Sequence, residues 1–249
     1  MTLKQIISNK TLSTLLLVLF CLTTLQLPAA AKRKKVAAEP VRVACVGNSI
    51  TYGTGIEDRE HFSYPVQLQQ MLGNGYVVGN FGKPGATLLY KGHRPYVEQP
   101  EFKEALRFKG DIAVIHLGIN DTDPRNWPNY RDEFVKDYLS IMDSLRAANP
   151  KVRFILARMT PIADRHPRFQ SGTKQWHDEI QTAIETVARI SGAELIDFHE
   201  PLYPYPNLLP DAIHPNPEGA GILAKTVYGG ITGNYGGLSM SSLYADYMV

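Results

Sequence analysis

From Val41 onward, short β-branched runs alternate with longer stretches whose apolar residues recur every three or four positions. That alternation specifies a parallel sheet covered by helices on both faces. Strands are predicted over VRVACV (41–46), YVVGNF (76–81), DIAVIHL (111–117), VRFILAR (152–158) and AELIDF (193–198). Most are apolar without interruption, as strands buried on both faces must be. Helices are predicted over 64–72, 101–108, 130–148, 174–190 and 217–228. In the third of these, Phe134, Tyr138, Ile141, Met142 and Leu145 form one apolar stripe, the face expected against the sheet. Right-handed crossovers then give a three-layer α/β/α doubly wound parallel sheet of about five strands. Ligands bind such a sheet outside the carboxyl ends of its strands. Chemistry is therefore sought in residues 47–55, 82–87, 118–128 and 159–173, and in the turn before the last helix.

The segment ahead of this pattern has a different character. Lys4 and Lys10 precede a leucine-rich, uncharged run over 11–27, followed by Pro28, Ala29, Ala30 and Ala31. This reads as a secretory signal cleaved near Ala31, and it places the mature protein outside the cell or in the periplasm. The densest apolar stretch, 15–21, is far shorter than the roughly 20 residues that span a bilayer, so no membrane anchor is expected. Phe20 before Cys21 argues against lipid attachment. The organisation expected is a signal at 1–31, a basic leader at 32–40, one domain at 41–228, and a Gly-, Ser- and Tyr-rich linker at 229–249.

Composition narrows the class. With 44% hydrophobic and 20% charged residues in 249, the chain has the makings of one packed core and is neither disordered nor a coiled coil. The formal charge of +2 disappears with the signal, which carries Lys4 and Lys10, and this removes any electrostatic reason to expect nucleic acid. Cys45 is then the only cysteine, with nothing to pair with in an oxidising compartment.

Four segments carry candidate chemistry. GNSITYGTG places Ser49 three residues beyond Val46, although the G-x-S-x-G elbow is absent because residue 51 is Thr. DAIHPNPEG places Asp211 three residues before His214, with Asn216 and Pro217 suited to cap and open the last helix. Within one turn Asp211 can accept a hydrogen bond from His214, leaving the other imidazole nitrogen to take a proton from a serine. HLGINDTDP offers the Asn120 amide, and GKPGAT offers the backbone N–H of Gly85. Taken singly, each also reads as an ordinary turn.

Taken together and in this order, the four segments resemble the SGNH hydrolase superfamily, the GDSL-type esterases and acylhydrolases, over 41–228. The resemblance implies Ser49 as nucleophile, His214 as base and Asp211 as its orienting carboxylate. It also implies an oxyanion hole made by Ser49 N–H, Gly85 N–H and the Asn120 amide, with no metal and no cofactor. Asn48 departs from the Asp that many members carry, and Gly82 competes with Gly85; the spacing to Thr87 favours Gly85. Rate should fall on acidification as the imidazole takes up a proton.

The loops that would meet substrate are polar and planar rather than apolar: TDPRNWPNY and TPIADRHPRFQSGTKQWH. Arg125, Arg165 and Arg168 are candidates to hold an anionic sugar, and Trp127 and Trp176 to lie against one. The segment 238–249, LSMSSLYADYMV, resembles the opening strand of the second module of sialate O-acetylesterases. The expectation is therefore an esterase removing O-acetyl groups from a glycan, sialic acids first, with a further esterase module following. An acetylxylan-type, short-chain or lysophospholipid esterase and a carbohydrate-binding module without turnover are the alternatives. A metal hydrolase is disfavoured because His61, His93, His116, His166, His177 and His199 lack ligand spacing.

Overall fold

The computed structural model describes residues 38–167 and 173–235. The expected signal, the basic run at 32–35, Arg168 and the segment 238–249 lie outside the described residues. Five strands form the sheet: β1 (Val41–Gly47), β2 (Tyr76–Gly82), β3 (Ile112–His116), β4 (Arg153–Arg158) and β5 (Glu194–Asp197). All pairings are parallel, in the order β2-β1-β3-β4-β5. The chain builds outward from β1 to β2 and then reverses to β3, so a crevice opens between the carboxyl ends of β1 and β3. This is the doubly wound fold expected.

The helices are α1 (Ser49–Tyr52), α2 (Arg59–Phe62), α3 (Tyr64–Leu72), α4 (Pro100–Phe108), α5 (Trp127–Tyr130), α6 (Phe134–Ala148), α7 (Lys174–Ser191) and α8 (Pro217–Thr232). Helices α3 and α8 pack together on one face of the sheet, and α4, α6 and α7 on the other. The predicted stripe of α6, from Phe134 to Leu145, is buried. Central strand β3 is buried at every position, whereas β2, at an edge, leaves Val77 43% exposed.

Most boundaries fall within one residue of expectation, and two differ by four. Helix α6 starts at Phe134 because Tyr130, at φ −134°, breaks the run that was expected to begin there. Helix α8 continues through Gly229 and Gly230 to Thr232, past the expected domain end at 228. Those glycines serve packing rather than flexibility. A Cβ on Gly229 would stand 2.3 Å from the Tyr235 ring, and one on Gly230 would stand 2.9 Å from Ile196. Arg153 donates to the carbonyls of Gly230 (2.7 Å) and Ile231 (3.1 Å), placing a cation at the negative end of the helix.

Cys45 sits in the middle of β1, fully buried. Burial pushes its thiol up to about 12, against the pull of a hydrogen bond with Tyr64. It stays protonated and unreactive.

Candidate active site

The nucleophile candidate is set by close packing at the strand ends. A Cβ on Gly82 would lie 2.1 Å from Tyr52 N, so α1 leans on the end of β2 only because residue 82 lacks a side chain. Asn48 caps α1, its Oδ1 accepting from Ile50 N at 3.0 Å. Capping needs an oxygen acceptor, which Asn supplies as well as Asp does. Ser49 then occupies the first helical position at the mouth of the crevice, 7% exposed.

His214 and Asp211 reach it from the loop before α8. Asn216 caps that helix through Gly219 N (2.9 Å) with Pro217 at its start, and its own N–H is tied to Leu208 O (2.8 Å). Asp211 Oδ1 accepts from the backbone N–H groups of Ile213 (3.0 Å) and His214 (2.7 Å), while Oδ2 lies 2.5 Å from His214 Nδ1. His214 Nε2 stands 2.8 Å from Ser49 Oγ. Burial raises the Asp211 carboxyl, but the hydrogen bonds from His214 and Ile213 outweigh it and hold the group below the usual carboxylate range. Between them Ala212 is held at φ +73°, a left-handed conformation that costs a residue with a Cβ roughly 1–2 kcal/mol. Two backbone bonds enforce it, Ala212 N to Leu209 O and Ala163 N to Ala212 O, both 2.8 Å.

The two candidate donors on the other side of Ser49 are fixed by a network of side chains. Gly82 N is spent on Asn80 Oδ1 (3.0 Å), whereas Gly85 turns through φ +77° in the loop beyond β2. The Asn120 amide donates to Ala86 O at 2.9 Å, which leaves its second N–H for a ligand. Asp121, fully buried, accepts from Leu88 N and Leu89 N, both at 2.9 Å, and Asp137 accepts from Tyr90 N at 2.9 Å. Asn126 donates to Asn120 O (2.9 Å) and accepts from His93 N (3.0 Å). The loop that carries Gly85 is thus hung, residue by residue, on the segment after β3. In the sequence Asp121 reads as a residue completing backbone hydrogen bonds in its loop, as found, whereas Asp137 carries no signal. Asn-Asp after a glycine in G-x-N-D was the available signal, but only the fold shows which N–H groups the second carboxylate meets.

The expected substrate-contacting residues fare differently. Trp127 is 4% exposed, donates its indole N–H to Glu179 (2.6 Å) and packs edge-on to Phe134, so it offers no face to a sugar. Arg125 holds Asp123 through two bonds of 2.9 and 2.8 Å, which keep that carboxyl well below its ordinary range. Arg165 donates to the carbonyls of Leu209 and Pro206, which brace the loop before Asp211. Neither arginine presents an uncommitted fork to an anion. Trp176 is half-buried against the core. The structure adds Arg94, exposed, whose guanidinium lies beside Gly85 and donates to Pro84 O at 3.0 Å.

Histidines scattered in the sequence are partly gathered by the fold. The His177 ring lies 5.7 Å from that of His199, and its Nε2 bonds Thr160 O at 3.0 Å; no group of three or more potential metal ligands is found among the described residues. His116 Nε2 accepts from Thr160 N at 3.4 Å. Burial lowers His116 to about 3 and His177 to about 4, so both are neutral inside the fold. Both lie below the ordinary imidazole value of about 6.5, so on acidification the unfolded chain binds more protons and stability is lost. Asp121 works the other way, because burial raises it to about 7. With two imidazoles against one carboxyl, the urea midpoint should fall between about pH 6.5 and pH 4. A midpoint that rose over that interval would contradict neutral, buried imidazoles.

A hydroxyl, an imidazole and a carboxylate in line at the carboxyl edge of a 2-1-3-4-5 parallel sheet define a serine hydrolase of the SGNH type. The sequence model of the GDSL-like Lipase/Acylhydrolase family matches residues 45–222, and the chain belongs to that family. An acetylxylan esterase from Xylanibacter ruminicola is 39% identical over 206 residues, covering 76% of this chain and 42% of that protein. The chain therefore spans about two fifths of that relative's length. Among solved structures, an acetyl xylan esterase superposes with a TM-score of 0.60 at 19% identity, covering 77% of this chain and 100% of its own. A carbohydrate acetylesterase from Sinorhizobium meliloti gives 0.58 at 16% identity, covering 78% and 99%. These last two likenesses show the fold alone.

Proposed function

We propose that this protein is a serine esterase that removes acetyl groups from the hydroxyls of a neutral polysaccharide of the xylan type. The observation that carries the reading is the relay from Ser49 Oγ to His214 Nε2 (2.8 Å) and from His214 Nδ1 to Asp211 Oδ2 (2.5 Å). His214 takes the Ser49 proton as Oγ bonds to the acetyl carbon, and Asp211 stabilises the imidazolium. The oxyanion is met by the N–H groups of Ser49 and Gly85 and by the Asn120 amide. The sugar hydroxyl leaves with the proton from His214. Water, deprotonated by the same histidine, then attacks the acetyl-enzyme and releases acetate and Ser49.

Acetyl as the acyl group is supported by the acetylxylan esterase relative. A neutral sugar is favoured over a sialic acid because Arg125 and Arg165, expected to hold a carboxylate, are engaged by Asp123 and by backbone carbonyls. The segment 1–31 remains, on this reading, an export signal that brings the enzyme to its polymer. The test is acetate release by the full chain from acetylated xylan, an O-acetylated sialoglycan and a long-chain ester, assayed side by side. Acetylated xylan should be cleaved fastest. Faster release from the sialoglycan would restore the anionic substrate, and binding of either glycan without acetate would make the protein a carbohydrate-binding module.

A further inference from the structure

A cleft of about 380 Å³ borders the loop that leads into Asp211, between residues 161–165 on one wall and Tyr203, Pro206 and Leu209 on the other. It is joined directly to the relay. Ala163 N donates to Ala212 O, in the peptide between Asp211 and His214, and Ala212 N donates to Leu209 O. The volume falls in the lower part of the range for small-molecule clefts, roughly 300–1,000 Å³.

Its wall contains a large aromatic that the core does not use. Tyr203 is 60% exposed. One of its faces is stacked on the His199 imidazole, with ring centres 5.2 Å apart and planes at 21°. His199 is in turn held by Glu200 at 2.9 Å. The ring is thus fixed from behind while more than half of the residue stays accessible among the described residues. The charges at the rim are committed: Asp164 accepts from Lys174 at 2.9 Å, and Arg165 donates to the carbonyls of Leu209 and Pro206. An aromatic face between apolar walls, under a rim whose charges are paired, suits a ring with apolar C–H faces and neutral hydroxyl edges.

We propose that this cleft is a subsite for a neutral pyranose of the substrate chain, next to the acetylated sugar, with Tyr203 as its stacking platform. This rests on the carbohydrate reading above and adds to it a specificity-determining residue outside the relay. The subsite acts on binding of the polymer and makes no contact with the reacting ester.

The test compares Tyr203→Ala and Tyr203→Trp with the parent, each as the full chain, on an acetylated xylo-oligosaccharide and on 4-nitrophenyl acetate. Loss of one stacking face should lower the ratio of kcat/KM on the oligosaccharide to that on the aryl ester by about tenfold, through KM. Tyr203→Trp should restore the ratio. An Ala variant whose ratio stays within about twofold of the parent, or whose two activities fall together, would overturn the subsite while leaving the carbohydrate reading intact. A parent that cleaves the aryl ester but no acetylated oligosaccharide would overturn both.

Discussion

Ser49→Ala should fold as the parent does and hydrolyse 4-nitrophenyl acetate about a millionfold more slowly, the size of loss seen when a serine nucleophile is removed from a triad. The side chain is at the rim of the crevice, and its hydroxyl is bonded only to His214, so deleting one oxygen leaves the sheet, the α1 cap on Asn48 and the Asp211–His214 pair in place. Thermal melts of the two proteins should therefore agree closely. Retention of more than about a hundredth of the parent rate, in protein purified free of host esterases, would remove Ser49 from the reaction.

Asn120→Ala should reduce kcat by about 100- to 1000-fold with little change in KM, because an oxyanion donor acts on charge that develops only in the transition state. This side chain has a second duty. One N–H already holds Ala86 O, so the variant also leaves a buried carbonyl without its partner, at a cost of about 1–3 kcal/mol in stability. The two effects separate by measurement. A melting shift reports the lost Ala86 bond, and the kinetic split reports the lost oxyanion donor. A drop of less than about tenfold in kcat would mean that the amide faces no reacting oxygen.

Much of the fold was legible because the relevant signals are local. Continuous β-branched runs gave β1 and β3 almost to the residue, and the Asn216-Pro217 pair gave the start of α8. The end of α8 was misjudged because glycine reads as flexibility in a sequence, whereas Gly229 and Gly230 are where a ring and a strand approach the helix closely. The Asp211–His214 contact was legible for a similar reason: the spacing of the two residues fixes its own turn. Trp127 misled because an aromatic in a polar loop looks available until Glu179 and Phe134 are found around it. That Asp121 bonds backbone was legible in its loop, but its partners were not, and Asp137 was invisible, because those partners are backbone N–H groups some tens of residues away, which carry no residue-type signature.

The pairing of Asn120 with Asp121 constrains how such an enzyme can be altered. Adjacent residues grip Ala86 on one side and Leu88 and Leu89 on the other, so any graft that replaces the loop beyond β2 must import its matching anchor after β3. The opposite rim, at residues 161–164, meets the Asp211–His214 loop through the main-chain contact of Ala163 N to Ala212 O, which does not depend on side-chain identity, whereas the side chain of Arg165 is a brace to be kept. Redesign of the surface beside the relay is accordingly best begun at those four positions, where sequence can drift without moving Asp211 or His214.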